Sequence, residues 1–378
     1  MKQVICCVDP TIPLLAEALQ PVARVHCIPG AELSSAVLKR LHCHALLVRS
    51  STRVNAELLT GTSVRFVGSA SSGIDHIAIE ELQAMGIAVA HTPGCNANAV
   101  AEYVIIALLM WALLWKHPLS SIRLGIVGFG HIGRRVAHYA HRLGVHVYVN
   151  DPPLARQGFS FPEWVTYVPG LPELCAICSA LTLHVPLTHN GPDATWHLVD
   201  TEELNLLGPN SLIIQTSRGG VLNESALERT LEYKPLSIAL DVWEQEPLVN
   251  RTLALRALLA TPHIAGHTWQ ARVRCSQTLA HRFAEWAEVE LSDAPFIEAL
   301  ADIPPPPAVP WDDPEALLHL LQQRRRLHED SQALRAWSSL PVAGQRQAFR
   351  SFRESYPRRY ETLTLLEFSS PPRGQPGQ

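Results

Sequence analysis

Short apolar runs alternate with amphipathic stretches through the first three hundred residues, and this rhythm predicts most of the architecture. Over residues 1–94, strand-like runs fall at Val4–Val8, Arg24–Ile28, Ala45–Val48, Arg65–Val67 and Ile87–Ala90. Helical spacing lies between them, as in Ser35–Leu41 and Asp75–Met85. Brief apolar strands separated by helices predict parallel strands covered on both faces. Thr92-Pro93-Gly94 breaks the pattern, and Asn98–Trp115 then reads as a long buried helix. Its longest apolar run, Tyr103–Trp115, is shorter than the ~20 residues that cross a bilayer, so no membrane span is expected.

A second series of strands follows at Leu124–Val127, Val145–Asn150, Ala180–Val185, Ser211–Thr216 and Leu236–Leu240, with helices at Leu171–Cys178, Thr201–Leu206 and Ser225–Tyr233. Together they predict a doubly wound sheet. After Thr261-Pro262-His263, the helical stretch Trp269–Leu291 is expected to pack back on the N-terminal domain. Ile303–Pro310, with five prolines, reads as a semi-rigid linker. Beyond it, residues 311–378 hold ten Arg, no Lys and eight Asp or Glu, with apolar positions such as Leu317, Leu318 and Leu321 at helical spacing. That segment is too small to bury much alone, which predicts docking or dimerisation. The expected domains are thus 1–94 completed by 264–300, then 95–263, a linker 301–310, a C-terminal domain 311–368, and a disordered tail 369–378.

Composition narrows the possibilities. A net charge of −4 with no long single-sign run offers nothing to nucleic acid or an anionic membrane. Met1–Val8 is apolar only until Asp9, too short for a signal peptide. The eight cysteines follow no regular spacing, and Cys175-x-x-Cys178 lacks a second pair, so no metal site is expected. This usage suits a reducing cytoplasm.

The candidate chemistry centres on Gly128-x-Gly130-x-x-Gly133, which follows a strand and opens a helix. Gly128 permits the tight turn, Gly130 lets the backbone approach a pyrophosphate, and Gly133 lets helix and strand pack closely. Asp151 closes the next strand, where a carboxylate accepts from ribose hydroxyls and repels a 2′-phosphate, favouring NAD. Three later loops carry groups suited to hydride-transfer chemistry. Arg218 can grip a carboxylate, and His263 can exchange a proton with a substrate hydroxyl. Glu246 can fix that imidazole's tautomer. Spacing alone leaves open whether Glu246 meets His263, and whether Arg218 makes only a surface ion pair.

The ordered motifs, from the glycine triplet and Asp151 through Thr216-Ser217-Arg218-Gly219 and Asp241–Pro247 to Thr261–Gly266, resemble the D-isomer-specific 2-hydroxyacid dehydrogenase family. The resemblance spans residues 45–290. Leu47–Thr52, Pro93–Ala97, Asp151-Pro152-Pro153 and Phe349–Arg359 resemble a subgroup with a further C-terminal dimerisation domain. It implies two doubly wound parallel-sheet domains of Rossmann and flavodoxin type, a small α+β C-terminal domain, a homodimer and a phosphorylated D-2-hydroxy acid as substrate. It also implies roles: His263 as proton donor and acceptor, Glu246 its partner, and Arg218 the carboxylate binder. Gly128, Gly130, His131, Ile132, Gly133, Asp151, Asp241 and Gly266 would line NAD, with Thr216, Ser217 and Arg218 beside the nicotinamide. Ser50, Ser71, Arg49 and His267 would face substrate; His267 stands where the subgroup has tyrosine, and Ser71 where it has threonine. For the phosphate, Arg49 and Arg53 are candidates, as are Arg358 or Arg359 from a second subunit. Two other readings remain open: a dehydrogenase for another 2-hydroxy acid such as 3-phosphoglycerate or glycerate, and an NAD-sensing corepressor.

Overall fold

The computed structural model describes residues 3–309 and 311–369 and divides into two units. The expected tail lies outside the described residues except for Ser369, which ends the helix Leu363–Ser369.

The first unit comprises Met1–Asn96 and Trp269–Pro304. Its sheet contains β1 (Val4–Val8), β2 (Ala23–Cys27), β3 (Ala45–Val48), β4 (Phe66–Ser69) and β5 (Ala88–Ala90), all parallel in the order β2-β1-β3-β4-β5. Every residue of β3 is buried, as its unbroken apolar run requires. The helix Trp269–Ala287 packs on β4. Gly68 permits that approach, since a Cβ there would lie 2.5 Å from Leu279 and 2.8 Å from Leu47. The helix expected over Asp75–Met85 is confined to Ile79–Ala84, because Ile77 is drawn into a bridge with Val54.

Cys95 and Cys275 form a disulfide within this unit, a pairing that the irregular cysteine spacing did not signal. Their Cα atoms lie 5.4 Å apart across 180 residues, a proximity sequence spacing cannot show. Cys175 and Cys178 are buried free thiols, and burial pushes Cys178 up to about 12.

The second unit comprises Ala97–Thr268 and Pro305–Gln378. Its parallel strands are β6 (Arg123–Val127), β7 (His146–Asn150), β8 (Val165–Tyr167), β9 (Ala180–Leu183), β10 (Leu212–Gln215), β11 (Ser237–Leu240) and β12 (Leu259–Ala260), in the order β12-β11-β10-β9-β6-β7-β8. Strand order reverses between β6 and β9, the switch point where open α/β sheets bind ligands. The helix Ala97–Leu114 has the length and hydropathy of a membrane span, yet 78% of it is buried in this core.

The C-terminal segment docks on this same core. Leu317, Leu320, Leu321 and Leu327 join the cluster containing Val104, Leu108 and Trp111. Where an α+β segment was expected, its described residues form helices at Pro314–Arg325, Leu327–Trp337, Val342–Glu354 and Leu363–Ser369, with no strand among them. The apolar residues recur at helical intervals, and Asp313 caps the first helix by accepting from the Ala316 amide, with Pro314 in its first turn.

Asp330 gives the C-terminal segment a pH-dependent stability. It is 3% exposed and accepts from the Tyr356 hydroxyl at 2.6 Å, with Arg359 at 3.6 Å. Burial pushes its carboxyl up to about 6 despite these partners. A raised native pKa means the folded state favours the protonated acid. Its contribution is therefore whole below 3.8 and lost as pH rises through about 6. The stability difference between wild type and Asp330→Asn should shrink from pH 4 to pH 7 in paired thermal melts; a constant difference refutes this.

Candidate functional site

The register of the second sheet brings its loops to one level. Gln215 pairs with both Leu240 and Leu183, Leu240 with Ala260, and Val127 with both Leu183 and Asn150. Gly128, Asp151, His184, Thr216, Asp241 and Thr261 consequently leave the carboxyl edge of neighbouring strands.

The glycine loop follows β6. Gly128 has φ +91°, and a Cβ there would lie 2.6 Å from the His184 carbonyl oxygen. A Cβ on Gly133 would lie 2.1 Å from the Gly128 carbonyl oxygen, so only glycine lets the helix His131–Arg142 sit this close. A Cβ on Gly130 would meet nothing within 4 Å. Gly130 is also the helix N-cap and supplies no capping side chain. Open space beside uncapped N–H groups fits a pyrophosphate. His131 is exposed at the helix start, and Ile132 packs partly against the core. Asp151 accepts from the Phe129 amide at 2.7 Å and the Leu154 amide at 2.9 Å. Each oxygen retains a lone pair, so the carboxylate can both order the glycine loop and accept from ribose hydroxyls.

His263 and Glu246 meet. His263 Nδ1 lies 2.9 Å from Glu246 Oε2, and Glu246 Oε1 accepts from the Trp243 amide at 3.0 Å. With a carboxylate as acceptor, Nδ1 is the donor and Nε2 is left to exchange a proton with a ligand. Burial pushes the Glu246 carboxyl up, but the charge and hydrogen bond of His263, with Arg353 and the Trp243 amide, outweigh it and hold the acid below its usual range. The Trp243 indole donates to the Thr261 carbonyl at 3.0 Å, fastening the Glu246 loop to the His263 loop. His263 itself has φ +57°, the left-handed region that costs a non-glycine residue roughly 1–3 kcal/mol.

Asp241 stabilises that backbone. Its carbonyl accepts from the His263 amide, while its carboxylate takes the Thr261 hydroxyl, the Ile264 amide and the Ala265 amide, all within 2.9 Å. Burial pushes its carboxyl up despite these donors and nearby His263. The Asp241 side chain is 1% exposed and its three donors anchor the loop that carries His263.

Arg218 is half-buried after β10 and donates to the Ser217 carbonyl at 2.8 Å. Thr216 and Ser217 are buried beside it, with Ser217 donating through both backbone and hydroxyl to the Gln215 side chain. Gly266 and His267 follow the 263–265 loop, and the His267 ring sits edge-on to Tyr356 at 6.0 Å. His184 was not anticipated. Burial pushes it down to about 3, so it is neutral, and it bonds Thr182 at 2.9 Å. Leu183-His184-Val185-Pro186 at a strand's carboxyl end was the available signal.

Three of the remaining candidates belong to the first unit. Arg49 donates to the Thr11 hydroxyl at 2.9 Å, and Ser50 is exposed next to it. Ser71 bonds the Ser69 hydroxyl at 2.6 Å and donates to the Gly73 carbonyl, while Ser69 bonds His76. Arg359, in the second unit, is 14% exposed and lies 3.6 Å from Asp330.

Residues 111–265 match the family model described as D-isomer specific 2-hydroxyacid dehydrogenase, NAD binding domain. The erythronate-4-phosphate dehydrogenase of Photorhabdus laumondii is 36% identical over 368 residues, covering 95% of this chain and 93% of that relative. The chain belongs to the D-isomer specific 2-hydroxyacid dehydrogenase family. Salinibacter ruber has an erythronate-4-phosphate dehydrogenase 37% identical over 361 residues, 93% of this chain and 91% of that one. Among solved structures, the D-lactate dehydrogenase of Aquifex aeolicus, complexed with NAD and lactic acid, aligns with TM-score 0.61 and 21% identity over 79% of this chain and 97% of its own. The NAD-bound 3-phosphoglycerate dehydrogenase of Entamoeba histolytica aligns with TM-score 0.64 and 24% identity over 75% and 95%. These two dehydrogenases are spanned almost whole, while a fifth or more of this family member lies outside them. The glycine loop and Asp151 lie at the switch point, and the His263–Glu246 pair lies along the carboxyl edge of the same sheet.

Proposed function

We propose that the chain oxidises 4-phospho-D-erythronate at C2, giving 2-oxo-3-hydroxy-4-phosphobutanoate on the route to pyridoxal 5′-phosphate. The observation that carries the reading is the 36% identity to an erythronate-4-phosphate dehydrogenase along 95% of the chain. The joined His263–Glu246 pair supports it independently. NAD, when bound, supplies the hydride acceptor, and Gly128–Gly133 and Asp151 are the residues that would hold it. His263 Nε2 takes the C2 hydroxyl proton as the C2–H bond gives up its hydride. Glu246 holds the ring and stabilises the imidazolium, and Arg218 grips the carboxylate and polarises the forming carbonyl. Ser50 and Ser71 contact substrate, with His267 a further donor to it.

Arg49, which flanks Ser50 in sequence, is the cation proposed for the phosphate. Losing a charged hydrogen bond costs about 1.5–3 kcal/mol, so Arg49→Ala should raise KM for the phosphorylated acid roughly tenfold or more. KM for NAD should stay unchanged; an unaltered substrate KM removes Arg49 from this role.

Two chains are proposed to pair through the C-terminal segment, where Leu340 and Val342 remain 43% and 55% exposed. A cytoplasmic setting suits a sugar-phosphate substrate. A spectrophotometric assay with 4-phosphoerythronate, NAD and a 2-oxo acid acceptor tests the function. Turnover with that substrate, and little with glycerate or 3-phosphoglycerate, is expected; preference for either of the others overturns the reading.

A further inference from the structure

We propose that Arg325, in the C-terminal segment, is a positioning residue for His263 and acts through the Ala265 carbonyl. The inference rests on the reading of His263 as the proton-transfer group. Arg325 ends the helix Pro314–Arg325 and is 0% exposed. One arm of its guanidinium donates to the Ala99 carbonyl at 2.9 Å and lies 3.4 Å from Glu102, both on the core helix Ala97–Leu114. Its other arm donates to the Ala265 carbonyl at 2.8 Å, across 60 residues of sequence.

The loop carrying His263 is therefore gripped from two sides. Asp241 accepts the amides of His263, Ile264 and Ala265, and Arg325 takes the Ala265 carbonyl. His263 has a left-handed backbone only two residues upstream. Such a conformation persists when its surroundings over-determine it. Without Arg325, the peptide after Ala265 loses its buried donor, and the strained residue loses one of its restraints.

A simpler reading is that Arg325 merely neutralises buried Glu102. Glu102, however, also accepts the Thr362 amide at 2.6 Å and the Leu363 amide at 2.8 Å. Neutralisation alone requires no second arm directed at Ala265. A planar fork reaching acceptors on two separate segments is what arginine provides and lysine does not.

Two variants separate these readings. Arg325→Lys keeps the charge beside Glu102 but gives up the fork. The double variant Glu102→Gln with Arg325→Met removes both charges, so neither is left buried alone. Hydrogen exchange at the Ile264 and Ala265 amides of NAD-free protein is measured beside kcat, KM and NAD affinity. Losing a charge-assisted hydrogen bond of about 1.5–3 kcal/mol should speed that exchange roughly tenfold or more and lower kcat by a similar factor. NAD affinity and both KM values should change little, and Arg325→Lys should retain more activity than the double variant.

Thr268→Ala serves as the control. It removes the 2.8 Å bond to Glu361, another tie to the C-terminal segment, by a change three residues beyond Ala265. It should leave exchange and kcat as in wild type; an equal loss there would mean general loosening and overturn the proposal. Wild-type exchange in either folded variant also overturns it. Faster exchange with unchanged kcat overturns it if His263→Ala is inactive. If His263→Ala remains active, the catalytic reading of His263 fails instead, while the grip on the loop stands.

Discussion

Replacing His263 with alanine is expected to lower kcat by roughly 10²–10⁴, the usual loss for one well-placed acid–base group. NAD affinity should be unchanged, because the glycine loop and Asp151 belong to other strand ends, and Asp151 orders that loop through the Phe129 and Leu154 amides. The fold should also survive. The ring is 33% exposed, and the loop is fixed by backbone bonds to Asp241 that alanine retains. Alanine at φ +57° is strained just as histidine is, so the backbone cost is largely unchanged. Glu246→Gln is the companion. It preserves an acceptor for the Trp243 amide but can present an NH2 group to Nδ1, favouring the wrong tautomer. Steady-state kinetics beside a fluorescence titration with NAD decide the matter. Wild-type kcat in His263→Ala would end the assignment, and loss of NAD affinity would show that the ring is structural.

Much of this arrangement was legible because apolar periodicity and glycine spacing are local signals. β1 and β3 and the helix Thr201–Leu206 fall where the pattern placed them, and the longer core helix Ala97–Leu114 is displaced by one residue. The short elements were harder. β8 spans Val165–Tyr167 and is only three residues long, while the helix Arg251–Arg256 begins behind an Asn250 cap too small to stand out from a loop. The site divides along the same line. Glu246 and His263 lie 17 residues apart on adjoining strand ends, so chemistry and order singled them out before geometry joined them. Asp241 was singled out by its motif, but nothing local reveals that Ile264 and Ala265 fold back on its carboxylate. Arg325 and the disulfide cysteines depend on contacts 60 and 180 residues apart, which no window along the chain contains. The helical C-terminal segment was signalled by Leu317, Leu318 and Leu321, yet the α+β expectation came from family resemblance and overrode that local pattern.

Gly133→Ala should damage both the fold and the cofactor site, although the same change in an exposed helix commonly stabilises by up to ~1 kcal/mol. The sign reverses here because the new methyl would lie 2.1 Å from the Gly128 carbonyl oxygen and 3.3 Å from Ile126. The nearest atom belongs to the backbone and cannot rotate away, so the helix His131–Arg142 must move off β6. Overpacking of this kind costs roughly 1–3 kcal/mol. The same movement withdraws the helix N-terminus from the glycine loop, so NAD affinity should fall by at least an order of magnitude, a loss of ~1.4 kcal/mol. Gly130→Ala isolates the second effect. Its methyl would meet no protein atom within 4 Å, so the melting temperature should stay near that of wild type. NAD affinity should nevertheless fall, because the methyl enters the space assigned to the pyrophosphate. Thermal melts and NAD titrations on the two variants together make the test. A Gly130→Ala protein that binds NAD as wild type does would show that the dinucleotide is not seated against this loop.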